Sequence, residues 1–293
     1  MKYKVGLVLG GGGAKGAYQA GVLKAMKKYK LIKRVDMVSG TSIGALNAMK
    51  VLENDIDGAV EIWENVTKDI ALSKSSFFTK LKTKSMFSRD GFRKLADEKI
   101  NLEKASKSKK ECYVVATPVS LKVKGAPSEF LVNGKSKDEI LDYILASSAI
   151  PVVFEPVTIN GIKYVDGFGV SNVPVKVLKD KGCKLIFVIP LRSDSDAIDY
   201  SDDDTLIIDF SSYTNGKHMV DGGTLDFDAT RSKKRLEIGY KVGCALIEKL
   251  IKQRVIGVNF FQRILVALKS KFSKEKRENY YRLTKEEIDN LIN

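Results

Sequence analysis

Twice within its first fifty residues the chain runs from a short apolar stretch into a glycine-bearing turn and on into a helical pattern. Residues 2–9 (KYKVGLVL) read as a buried strand, four glycines follow at 10–13, and 14–29 carry Ala17, Ala20, Leu23, Ala25 and Met26 at helical spacing. A second strand at 35–39 (VDMVS) meets Gly40-Thr41-Ser42-Ile43-Gly44, and Ala45, Leu46, Met49 and Leu52 mark the helix beyond. Repeated units of this kind favour parallel strands joined by helices, with the functional loops at the carboxyl ends of the strands.

The rest of the chain continues the pattern. Strands are expected at 112–117, 128–132, 184–189 and 205–210, and helices at 56–69, 91–98 and 137–149, the last stopping at Pro151. In VTINGIKYVDG (157–167), Asn160-Gly161 between alternating apolar residues predicts a hairpin, which delivers Asp166 to the end of its second strand. Residues 70–89 are basic and Ser-rich, and Phe77 and Phe78 within them suit either a surface loop or a cover over the site. The acidic stretch 193–204 lacks the glycine and terminal glutamate of an EF-hand loop and reads as solvated.

Composition narrows the class. With 293 residues, 44% of them hydrophobic, the chain can bury a full core. Cys112, Cys183 and Cys244 lie far apart without CxxC spacing, against both a disulfide framework and a zinc site, so a reduced, cytoplasmic setting is expected. The first apolar run breaks into glycines, Lys15 and Gln19, and no stretch reaches the about 18 apolar residues of a membrane span. The formal net charge of +14 favours an anionic partner, although only ten of the 50 basic residues are Arg and a solvated lysine surface accounts for it equally well.

Two motifs carry chemistry. Gly11, Gly13 and Gly16 satisfy a GxGxxG dinucleotide fingerprint with Asp36 downstream, but Asp36 begins the second strand when it should end it, and Lys15 precedes Gly16, so no Walker pattern is present. Gly40-Thr41-Ser42-Ile43-Gly44, between an apolar strand and a helix, has the form of a nucleophile elbow with an exposed Ser42 hydroxyl. The base is either His218, the sole histidine, in a polar loop, or Asp166. A carboxylate of pKa about 4 is a poor base until burial raises it. The amides of Gly11, Gly12 and Gly13 at a helix N-terminus would supply an oxyanion hole.

Taken together, GGGAKGAYQAGVL (11–23), GTSIG with ALNA (40–48), ASSAIPVVFEPV (146–157) and Asp166-Gly167 with NVPV (172–175) resemble the ordered motif blocks of patatin-like phospholipases over roughly residues 4–250. The resemblance implies a three-layer α/β/α fold with a mostly parallel central sheet, and hydrolysis of lipid acyl esters by a Ser42–Asp166 dyad through an acyl-enzyme, with neither metal nor cofactor. It implies Gly12 and Gly13, with Gly11 supporting the turn, as the oxyanion hole, and Gly16, Gly40, Gly44 and Gly167 as motif-supporting positions. The family usually follows Asp-Gly with Gly or Ala. Phe168 stands there instead, where it either narrows the acyl pocket or turns into the core, and the second is the expectation.

The expected organisation is an acyl-hydrolase domain at 1–252 and a basic amphipathic helical tail at 253–293. In the tail Phe261, Ile264, Leu265, Leu268 and Phe272 form one stripe. Such a helix either docks on the core or anchors at an anionic lipid surface. The expected partners are a lipid substrate and, peripherally, a membrane, with no nucleic acid. The competing readings are an esterase with a Ser42/His218 triad and a non-catalytic protein that binds nucleotides or anionic surfaces.

Overall fold

The computed structural model describes residues 3–67, 73–74, 87–88, 90–119, 126–192, 204–211, 213–214, 217–218, 223–257 and 279–292. The strands of its main sheet are β1 (Lys4–Leu9), β2 (Met37–Thr41), β3 (Glu111–Pro118), β4 (Ser128–Leu131), β5 (Val157–Ile159), β6 (Ile162–Asp166), β7 (Cys183–Ile189), β8 (Leu206–Asp209) and β9 (Tyr280–Tyr281). They run in the order β9-β8-β7-β1-β2-β3-β6-β5, with β4 also paired to β3. All pairings from β9 to β3 are parallel, while β4, β5 and β6 are antiparallel additions.

Alternation along the parallel strands builds two cores. Leu7 and Leu9 of β1 face the larger core, and Val8 faces the smaller one with Met37, Val115, Ile186 and Val188. The larger side is covered by α1 (Gly16–Lys28), α2 (Ile43–Leu52), α3 (Ile56–Asn65) and α9 (Ala229–Lys252). On the smaller side, Val175, Val177 and Leu178 of α8 (Val175–Asp180) close the third layer. The expected three-layer α/β/α arrangement with a mostly parallel sheet is therefore present.

Among the described residues the remaining α-helices are α4 (Asp90–Lys99), α5 (Leu102–Ser106), α6 (Lys137–Ser147), α7 (Phe168–Ser171) and α10 (Lys285–Ile292). Ser136 and Glu139 form a reciprocal capping box at the start of α6, which satisfies otherwise unpaired backbone donors. Helices α1 and α9 cross at close range. A Cβ on Gly21 would lie 2.0 Å from the Leu236 carbonyl oxygen, and one on Gly239 would lie 2.1 Å from that of Tyr18. At Asn160-Gly161 both residues have positive φ, 50° and 79°, as a tight two-residue hairpin requires.

Past residue 252 the chain returns to the core. Tyr280 and Tyr281 pair in parallel with Ile207 and Ile208 at the sheet edge, and Glu287 of α10 meets Lys249 of α9 at 2.8 Å. The apolar stripe of the tail, Phe77 and Phe78, and most of the acidic stretch at 193–204 lie outside the described residues. Among the described residues no helix is long and apolar enough to cross a membrane.

Candidate active site

The carboxyl ends of β1, β2 and β6 converge. Ser42 follows β2 and caps α2 with φ 57° and ψ −127°, a region that costs a non-glycine residue about 1–3 kcal/mol and persists only when its surroundings enforce it. One enforcing contact comes from α6. The Ser42 N–H donates to Ser147 Oγ at 2.7 Å, and that hydroxyl donates to the Val115 carbonyl at 2.6 Å. The other is the close approach of β1 and α2, where a Cβ on Gly44 would sit 2.1 Å from the Leu9 carbonyl oxygen.

Ser42 Oγ donates to Asp166 Oδ2 at 2.6 Å. The Phe168 N–H donates to the other carboxylate oxygen at 2.9 Å, and the Asp166 N–H is held by the Ala149 carbonyl at 3.0 Å. Burial raises the Asp166 carboxyl to a pKa of about 6, against the two hydrogen bonds that pull it down. Ser42 and Asp166 keep only 6% and 4% of their surface. Where an exposed hydroxyl was expected, Ser42 is nearly buried, and the same exclusion of water makes the Asp166 carboxylate more basic.

The glycine loop lies directly over the elbow. A Cβ on Gly11 would come within 3.2 Å of Ser42 Cβ and 2.6 Å of Asn172 Oδ1. The Gly11 N–H donates to the Asn172 carbonyl at 3.0 Å. It is therefore not a free donor, which corrects its place in the expected oxyanion hole and leaves it the supporting role. No hydrogen-bond partner occupies the N–H of Gly12 or Gly13 among the described residues. Gly13, with φ 56°, opens the 3-10 turn that leads into α1. Of the motif-supporting positions, Gly16 abuts Trp63, Gly40 abuts the backbone of Gly44 and Ala45, and Gly167 abuts Thr41 and the Val115 carbonyl.

Phe168 does not turn into the core. It is 44% exposed, and the Arg192 guanidinium lies 4.3 Å from its ring centroid, a cation–π pair on the rim beside Asp166. A short strand places His218 opposite Tyr213, with its side chain outside the described residues. Ser147 and Asn172 lie inside motif strings visible in the sequence, but nothing local assigns them the task of holding the elbow and the glycine loop.

A serine forced into a strained strand-to-helix turn and hydrogen-bonded to a buried carboxylate, on a three-layer α/β/α sheet, defines a nucleophile-elbow protein. Comparison with known proteins gives the family. The model of patatin-like phospholipases matches residues 7–179. The lysophospholipase NTE1 of Eremothecium gossypii is 28% identical over 212 residues, 68% of this chain and 13% of that protein. The neuropathy target esterase sws of Drosophila melanogaster is 28% identical over 207 residues, 68% of this chain and 14% of that protein. The chain thus spans about one seventh of the length of these relatives. VipD from Legionella pneumophila is similar with a TM-score of 0.48 and 16% identity, over 85% of this chain and 67% of that one. The chain belongs to the patatin-like phospholipase family, a family of lipid-acting hydrolases.

Proposed function

We propose that this protein hydrolyses fatty-acyl esters of lipids through Ser42 and Asp166. Ser42 Oγ attacks the ester carbonyl carbon while its proton passes to Asp166 Oδ2, and the carbonyl oxygen becomes an oxyanion held by the amides of Gly12 and Gly13 at the start of α1. Collapse of this intermediate expels the lipid alcohol, which takes the proton from Asp166 and leaves the acyl group on Ser42. Water then attacks the acyl-enzyme, with Asp166 again accepting the proton; as the intermediate collapses that proton returns to Ser42 Oγ, and the fatty acid departs.

The observation that carries this reading is the 2.6 Å hydrogen bond between a strained serine and a desolvated carboxylate. No metal or cofactor enters any step. Phe168 and Val170, together with Val152 beyond the strand-end contact at Ala149, present exposed apolar side chains along the chain on either side of Asp166. They suit a substrate drawn from a lipid surface and peripheral association with it.

One of the similar proteins is named a lysophospholipase and another an esterase, so monoacyl phospholipids are the first substrates to assay. The decisive experiment is covalent labelling by a fluorophosphonate. The expected result is labelling of the wild type at Ser42 and none in Ser42→Ala, with His218→Ala as active as wild type. A His218→Ala variant without activity would replace the dyad by a triad, and an unlabelled wild type would remove the hydrolase reading.

A further inference from the structure

Two amide side chains are buried where α1 and α2 meet the sheet. Gln19 of α1 is 0% exposed and Asn47 of α2 is 1% exposed. Neither touches Ser42 or Asp166 through a hydrogen bond, and buried amides in such a setting persist only when their polar atoms are paired.

Here they are paired in one direction. The indole N–H of Trp63, which can only donate, gives its hydrogen to Asn47 Oδ1 at 2.9 Å. That fixes the Asn47 amide, whose Nδ2 must then donate to the Gly16 carbonyl at 3.1 Å and to Gln19 Oε1 at 2.9 Å. The Gln19 amide is fixed in turn, and its Nε2 donates to the Gly10 carbonyl at 2.8 Å and the Ile189 carbonyl at 3.0 Å. All five N–H groups of the three side chains are used, and the orientation of each amide follows from a residue with no alternative tautomer.

The acceptors at the end of this chain are the carbonyls of Gly10 and Gly16, which bracket the glycine loop. On the far side, the Asn172 carbonyl takes the Gly11 N–H and Asn172 Nδ2 reaches the Gly11 carbonyl at 3.4 Å. The 10–11 peptide is thereby held at both its N–H and its carbonyl and the Gly11 carbonyl is engaged, while past Gly13 the Ala14 N–H donates to the Thr224 carbonyl at 2.7 Å; the amides of Gly12 and Gly13 between these anchors stay unengaged among the described residues. Asn47 belongs to the helix that Ser42 begins, so the same network ties the loop to the nucleophile.

We infer that Gln19, Asn47 and Trp63 are positioning residues that aim the amides of Gly12 and Gly13 at the oxyanion formed on Ser42, an inference that rests on the dyad reading above. They act through the backbone and contact no reacting atom. A loop displaced by about 1 Å is enough to cost about 100-fold in rate without weakening substrate binding, because the donors matter only once charge develops on the oxygen.

The test compares wild type, Ser42→Ala, Gln19→Met and Trp63→Phe, using p-nitrophenyl butyrate and a monoacyl phosphatidylcholine, with thermal unfolding measured alongside. In Gln19→Met the expected result is a kcat about 100-fold lower, with KM within about twofold and the acid limb of the pH profile in place. In Trp63→Phe, which removes the donor that orients the two amides together with one ring of the buried indole, kcat falls about 5 to 10-fold with the same KM, and thermal unfolding reads the packing loss separately; this variant serves if Gln19→Met does not fold. Variants that lose stability while the folded protein keeps wild-type kcat overturn the inference alone, since that is the behaviour of amides that merely fill the core. An inert wild type, or a Ser42→Ala variant as active as wild type, overturns the dyad reading and this inference with it.

Discussion

Ser147 holds the backbone of Ser42: its hydroxyl accepts the Ser42 N–H at 2.7 Å and passes its own hydrogen to the Val115 carbonyl at 2.6 Å. Ser147 is fully buried, so no water replaces its oxygen. Ser147→Ala leaves the N–H of a residue at φ 57° without an acceptor, at a cost of about 1–3 kcal/mol. The expected outcome is a chain that unfolds at lower urea and turns over an ester substrate at least about tenfold more slowly, as the elbow relaxes; urea titration and kcat check the two effects separately.

The pKa of about 6 for Asp166 sets the pH dependence of the reaction. Only the carboxylate accepts the Ser42 proton, so kcat/KM rises about tenfold per pH unit below 6 and levels off above it. A steady-state pH profile on a soluble ester checks this, and a profile flat from pH 5 to 8 contradicts it.

Stability runs the other way. The folded-state pKa is raised above the unfolded value near 3.8, so the native state holds this proton more tightly than the unfolded chain does between about pH 4 and 6. The favourable contribution is present at low pH and lost as pH rises through 6. Asp166→Asn is therefore expected to abolish turnover yet to be more stable than wild type at pH 8, by on the order of 2 kcal/mol, with the gain vanishing toward pH 4. Chemical denaturation at both pH values measures it.

Gly11 and Gly44 separate catalysis from folding. At Gly44 an added methyl meets the Leu9 backbone at 2.1 Å, where nothing can yield, and Gly44→Ala should cost about 3 kcal/mol or prevent folding. At Gly11 the nearest atom is the side-chain Oδ1 of Asn172 at 2.6 Å, which can rotate away, so Gly11→Ala should fold with a reduced kcat. Thermal melts and kinetics on the pair check the contrast.

Another buried carboxylate, Asp209, is also raised to about 6 by burial, and accepts hydrogen bonds from the Tyr280 hydroxyl and, at 2.9 Å, from the Ser211 N–H. It joins β8 to the returning strand β9. Tyr280→Phe removes a donor from the charged form, so the loss, about 1–3 kcal/mol, is expected at pH 8 and should shrink at pH 5, where the carboxyl is neutral. Urea unfolding at the two pH values reads it.

The parts of the site that are legible in the sequence are those a short string encodes. The elbow at 40–44 and the hairpin at 157–167 each carry their geometry locally, in glycines at the crowded turn and in Asn160-Gly161 between alternating residues, and so Ser42 and Asp166 stand out. Ser147 and Asn172 do not, because each acts on a backbone group 105 or 161 residues away whose proximity only the sheet order creates, and Gln19 reaches the Gly10 carbonyl, 9 residues back, only through the fold of the strand-turn-helix unit. A clue to Gln19, and to Asn47 beside it, is polarity among apolar helix neighbours such as Val22, Leu23, Ile43 and Val51. Size alone suggests a core position for Phe168, whereas the cation of Arg192 gives its ring a partner at the surface. Tyr280 and Tyr281 read as tail because two residues are too few to show a strand period.

The glycine-to-glycine crossing of α1 and α9 sets a lower bound on what can be cut away. The family match ends at residue 179, yet the mate of the helix that follows the glycine loop occupies 229–252, and the strand flanking β1 begins at Cys183. A fragment trimmed to the matched block would bare Tyr18, Val22 and Ala25 to solvent and leave the first strand as an open edge. An autonomous, soluble minimal version of this protein therefore has to extend at least to the end of that long helix.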